Sequence, residues 1–121
     1  MDERAAAFTR LFQGVHEGVY IGTIGADVTS TLAANPHAKL ILGYGSETPD
    51  AQVRPFDPGH FYDAQARASL IERLETDGSL VNHLVRLKRN DQSSVWVEIT
   101  ATAERVPEGL RLQALMRDVS E

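Results

Sequence analysis

Between Ala34 and Asp50 the chain reads ANPHAKLILGYGSETPD, which joins a helix start, a short apolar run and a glycine pair. An asparagine followed by a proline opens a helix well. The Asn35 side chain can accept a backbone N–H that has no intrahelical partner, and Pro36 fits the first helical position, where its missing N–H costs nothing. Leu40, Ile41 and Leu42 give this one- to two-turn helix an apolar grip, and Gly43 ends it. Gly43-Tyr44-Gly45 is not a phosphate cradle: it lacks the Lys-Ser/Thr ending of a P-loop, and Thr48 stands where a dinucleotide fingerprint has its third glycine. The segment that follows, SETPDAQVRPFDPGH, carries three prolines and a glycine and is expected to be loop with at most single helical turns.

Upstream, Phe8, Leu11, Phe12 and Val15 fall at i, i+3, i+4 and i+7, one face of a helix from about Asp2 to Phe12 or slightly beyond. VYIGTI (Val19 to Ile24) and VTSTLAA (Val28 to Ala34) read as a hairpin around Gly25-Ala26-Asp27. Downstream, FYDAQARASLIERLETDG is helical, with Ala66, Leu70 and Leu74 at spacing four and Gly78 as its stop. The period then changes to two. Val81, His83, Val85 and Leu87 alternate with Asn82, Leu84, Arg86 and Lys88, and Val95, Val97, Ile99, Ala101 and Ala103 alternate with Trp96, Glu98, Thr100, Thr102 and Glu104. These are two strands, each buried on one face. NDQSS and PEG supply turns, and a last strand runs from Leu110 to Val119. Two strands, helices, then three strands predict an α+β domain: a five-stranded antiparallel sheet with the helices on one face. Such a curved sheet leaves room for a small ligand between its layers.

The composition narrows function. At 121 residues the chain suits one core. A net charge of -5 argues against nucleic acid or an anionic membrane as a partner. The absence of cysteine excludes disulfides, thiolate metal sites and cysteine nucleophiles. No apolar run approaches the roughly 18 residues of a membrane span, and the acidic start is not a signal peptide, so the expected location is cytoplasmic, with a membrane anchor elsewhere in a parent protein left open. The four histidines, 16, 37, 60 and 83, show no metal-ligand spacing, so no metal is expected.

Three stretches in order are similar to one family. NPHAKLILGY resembles the Asn-Pro-x-Ala-x-x-x-Leu-Gly-Tyr signature of PAS domains, LVRLKRNDQSSVWVEI resembles their following strand pair, and MRDVSE resembles their closing Asp-Ile-Thr-Glu. The resemblance spans residues 8 to 121. It implies a single PAS unit over 1–121: an N-terminal amphipathic helix (1–16), a core (19–119) and the start of an output linker (118–121). It also implies a sensory or dimerisation module of a larger, bacterial-type signalling protein such as a histidine kinase or cyclic-dinucleotide enzyme, and not a catalyst. The expected partners are a second copy and a C-terminal output domain, with Phe8, Leu11, Phe12, Val15 and the outward-facing Trp96 at the dimer contact. Asp118 and Ser120 would pass the signal onward, Asp118 pairing with Arg117, Arg111 or Arg86. Two turns depart from the family pattern, Asp91-Gln92 replacing Asp-Gly and Gly25-Ala26-Asp27 replacing Asp-x-x-Gly.

The resemblance places a pocket among Leu42, Leu70, Val81, His83, Val85, Val97, Ile99 and Met116, for a small metabolite or for nothing. Cysteinyl-flavin chemistry needs a cysteine where His37 and Ala38 stand and is excluded; noncovalent flavin stays open. Haem-binding relatives use a histidine on the long helix, where this chain has Arg67 and no histidine from Phe61 to Thr76, so haem is disfavoured. His83, on the core face by alternation, either orients a ligand and couples pH to strand position, or hydrogen-bonds a neighbour and binds nothing. A small pocket enzyme using His83 with a carboxylate is the alternative function, but Glu98 and Glu104 fall on the other sheet face. The segments LKR (87–89) and ERLE (72–75) read as solvated faces.

Overall fold

The computed structural model describes residues 3–14, 16–25 and 28–120. Helix α1 runs Glu3–Gly14, strands β1 and β2 Gly18–Ile24 and Thr29–Ala34, helix α2 Pro36–Leu42, helix α3 Ala64–Asp77, and strands β3, β4 and β5 Ser79–Lys88, Ser94–Val106 and Gly109–Asp118. Two short 3-10 turns, Asp50–Gln52 and Pro58–His60, interrupt the proline-rich loop. The strands form one antiparallel sheet in the order β2-β1-β5-β4-β3. Helices α2 and α3 pack on one face of it. Among the described residues, no helix is long and apolar enough to cross a membrane.

The caps follow the local chemistry. Asn35 Oδ1 accepts from Ala38 N at 2.9 Å, and Gly43 closes α2 in the left-handed region at φ 78°. A side chain at Gly43 would also press on Arg89, 3.1 Å from its ideal Cβ. Asp63 Oδ1 caps α3 by accepting from Gln65 N at 2.9 Å. The helix therefore starts at Ala64, not at Phe61 as the apolar pattern suggests. Phe61 instead pairs with Leu87 as an isolated bridge on the edge of β3.

The core fills the space between sheet and helices: Leu42, Leu70, Leu74, Leu80, Leu87, Val97, Ile99, Leu112 and Met116 are all buried. Tyr20 and Phe56 complete it, their ring centroids 5.4 Å apart. Tyr20 lies over Gly22, where an added Cβ would sit 2.2 Å from its hydroxyl. Only glycine allows this crossing. Burial raises the pKa of the Tyr20 phenol, and its O–H donates to the Ser30 carbonyl at 3.3 Å.

One register expectation fails. The β3–β4 ladder shifts between Leu80 and His83, with Asn82 in the left-handed region at φ 50°. This bulge sends Leu80 into the core and leaves Val81 70% exposed. Strict alternation from Val81 thus holds only from His83 onward, where Val85 and Leu87 are buried. The β3–β4 turn is longer than two residues: Arg89 N donates to Ser93 O at 2.7 Å, Gln92 takes φ 75°, and Asp91 Oδ1 accepts from Ser93 N at 3.0 Å. At the first hairpin, Gly25 N donates to Val28 O at 2.9 Å, while Ala26 and Asp27 lie outside the described residues.

Candidate functional site

The interior positions singled out for a pocket divide into two groups. Leu42, Leu70, Val85, Val97, Ile99 and Met116 converge in one hydrophobic cluster, packed against each other and against Tyr20 and Phe56. Val81 leaves this group because of the bulge. His83 stands at the margin, half-buried, and its Nδ1 receives a hydrogen bond from Arg73 Nη1 of α3 at 3.2 Å. A guanidinium only donates, so the neutral His83 ring carries its proton on Nε2. Burial, and next the Arg73 charge, lower its pKa below the ordinary 6.5. Among the described residues no carboxylate lies within hydrogen-bond reach of His83, and no His, Asp and Glu side chains converge as a metal site.

The histidine that sequence reasoning passed over as a loop residue is the more deeply placed. His60 is buried, and its Nδ1 lies 2.6 Å from the Lys88 carbonyl while its Nε2 lies 2.7 Å from the Tyr44 hydroxyl. A carbonyl can only accept, so Nδ1 carries the proton, and in the neutral ring Nε2 accepts from Tyr44. Both nitrogens are engaged, which leaves none directed at an iron. Arg67 on α3 donates from Nε to Phe56 O at 2.7 Å and holds the loop.

Asn35 does more than cap α2. Its Oδ1 also accepts from Val19 N at 2.8 Å, and its Nδ2 donates to the carbonyls of Phe12 and Glu17 at 3.0 and 2.9 Å. One fully buried amide thus ties the end of α1, the start of β1 and α2 together. A second junction lies at the other end of the chain. Arg89 Nε donates to Ile41 O at 3.1 Å, Nη1 to Ser94 O at 3.1 Å, and Nη2 lies 3.6 Å from Asp118 Oδ2. Asp118 Oδ1 accepts from Ser120 N at 2.8 Å, and Ser120 Oγ accepts from Trp96 N at 2.8 Å. The partner of Asp118 is therefore Arg89, not Arg117, Arg111 or Arg86. Arg117 instead bonds Glu98 at 2.7 Å. In the sequence Arg89 belongs to a solvated LKR face, because nothing in the linear order marks the carbonyl it reaches.

The outer sheet face carries a depression of about 350 Å³, lined chiefly by Val19, Ile21, Thr100, Ala101, Ala114 and Leu115. Trp96 lies on the same face and is 45% exposed. Of the helix residues expected at a dimer contact, Leu11 is 69% exposed and Phe12 half-buried. The Phe8 side chain and Val15 lie outside the described residues.

No family model and no curated protein matches the chain. Solved structures do. The PAS domain of a Colwellia psychrerythraea protein superposes with a TM-score of 0.70 at 15% identity, covering 97% of this chain and 98% of that one. The PAS domain of an HTR-like protein from Haloarcula marismortui gives 0.67 at 19% identity, covering 97% and 93%. A blue-light activated histidine kinase from Erythrobacter litoralis gives 0.65 at 13% identity, covering 94% of this chain and 36% of that one. With the strand order, the Asn35-Pro36 cap and the Gly43-Tyr44 exit described above, these matches identify the fold of the chain as that of a PAS domain.

Proposed function

We propose that residues 1–121 form one sensory or interaction module of a larger cytoplasmic signalling protein, acting as a dimerisation scaffold between an input and a C-terminal output domain such as a kinase or nucleotide cyclase. The observation that carries this reading is the outer sheet face, an apolar depression around Val19, Ile21 and Leu115; on α1, Leu11 also faces solvent. Exposed apolar surface of this kind marks sites of protein–protein contact, and a second copy of the chain is the partner proposed here. The opposite layer favours a scaffold over a metabolite sensor, because the six interior pocket candidates are packed into the core and a ligand there would have to displace them. Asp118 and Ser120 are the residues through which sheet movement would reach the output linker. The acid/base enzyme reading gains no support, since the polar partner of His83 is a guanidinium.

Sedimentation of the purified chain tests this. Self-association is expected, and Leu115→Glu is expected to abolish it while circular dichroism is unchanged; a wild-type chain that stays monomeric at every concentration refutes the scaffold. Mass spectrometry of an extract, with a visible spectrum, tests the sensor alternative, which a retained small molecule would restore.

A further inference from the structure

We propose that the β3 margin of the outer face is a docking site for an acidic peptide segment carrying an apolar side chain, supplied by another protein or domain. This rests on the reading of the chain as an interaction module and specifies the chemistry of one partner. Arg86 and Trp96 are cross-strand neighbours. Beside them the Tyr62 ring has the Arg86 guanidinium carbon 4.4 Å and Lys88 Nζ 5.3 Å from its centroid. Tyr62 is anchored by its hydroxyl, which donates to Gln92 O at 3.4 Å, and by the adjoining Phe61–Leu87 bridge. Leu84, Trp96 and Tyr62 are 56%, 45% and 44% exposed.

The charges decide the occupant. Ion pairs among the described residues occupy Lys39, Arg89, Arg105 and Arg117. Arg86 and Lys88 have no carboxylate partner there. Glu98, cross-strand from Leu84, is held by Arg117 at 2.7 Å and does not neutralise them. Two cations oriented over an aromatic ring, flanked by Leu84 and Trp96, match a carboxylate-bearing segment with an apolar anchor. Strand addition is not the mode, since Phe61 already occupies the edge at Leu87 and the bulge distorts it near Val81. The partner lies across the face. A nucleic acid fits less well, because the chain carries a net charge of -5.

Trp96 is the only tryptophan and reports on the patch directly. The probe is a synthetic amphipathic peptide of Glu, Ala and Leu; the controls are the same peptide with Lys for Glu, and single-stranded oligo-dT. The acidic peptide is expected to shift Trp96 emission saturably, more weakly at high salt. The Arg86→Glu/Lys88→Glu double variant, Arg86 being exposed and Lys88 half-buried, should bind about tenfold more weakly. No saturable shift, equal binding of the Lys peptide, or tighter binding of oligo-dT overturns the proposal. So does a Trp96 shift that follows protein concentration alone, which would assign the patch to a second copy. Sedimentation in parallel separates the two readings, because a dimer blind to the acidic peptide sinks this inference and leaves the scaffold standing.

Discussion

Arg89 lies 3.6 Å from Asp118 through one guanidinium nitrogen while another nitrogen holds the carbonyl of Ile41 at 3.1 Å, so the end of β5 and the end of α2 share a single side chain. Replacing Arg89 with Ala removes that link and leaves the Ile41 carbonyl without its donor. The expected loss is about 2 kcal/mol in urea unfolding, with faster amide exchange at both α2 and residues 117–120. Asp118→Asn should cost under about 1 kcal/mol, because both side chains are partly solvated. Equal losses for the two variants would show that the ion pair, and not the carbonyl contact, dominates.

His83 predicts an acid limit. Burial, then Arg73, lowers its folded pKa, so the unfolded chain binds the proton more readily. The stability this neutral ring confers is complete above the unfolded value of about 6.5 and declines as pH falls from there through the folded value. Arg73→Gln removes one of the two causes and should raise the His83 pKa toward 6.5 in an NMR titration of its ring protons. An unchanged titration would place the whole effect in burial.

Asn35 links three elements through one amide, and its substitutions should separate them. Asn35→Ala deletes four hydrogen bonds in a fully buried place and is expected to cost about 3 kcal/mol or more. Asn35→Asp keeps the two acceptor contacts to Val19 and Ala38 but puts one oxygen, in place of Nδ2, against the Phe12 and Glu17 carbonyls. Hydrogen exchange should then rise in α1 more than in α2. Uniform loss of protection would mean that the amide acts as a single indivisible joint.

The bulge in β3 overturns the core position that alternation gives Val81 and puts Leu80 there instead. Leu80→Ala should destabilise by about 2–4 kcal/mol, since the side chain is fully buried, whereas Val81→Ala should fall within about 0.5 kcal/mol. The opposite ranking in chemical denaturation would restore the unbroken register.

What the sequence discloses is local. Asn35, Pro36, Gly43 and Gly78 mark helix ends because capping depends on near neighbours, and the alternation from Val95 to Ala103 marks a strand because its period is a property of the chain itself. Asn82 carried a signal that alternation overrode, asparagine being among the few residues that tolerate φ above zero. Arg89 and His60 carried none. Their partners, Asp118 and Ile41 for one, Tyr44 and Lys88 for the other, are distant in sequence and become neighbours only after the sheet has formed. Lys39 likewise finds Asp50 at 2.9 Å in the loop.

The proline-rich loop between α2 and α3 reaches both margins of the sheet. At β2 it receives Ala34 N on Asp50 Oδ2 at 3.1 Å, Thr31 Oγ1 on Val53 O at 2.6 Å, and Thr29 Oγ1 on Asp57. At β3 it supplies Phe61 opposite Leu87. The two edge strands of an open sheet are the places where chains template one another into fibrils. A loop that looks like irregular filler thus serves as a guard rail on both sides, and shortening it would lower solubility during synthesis and storage.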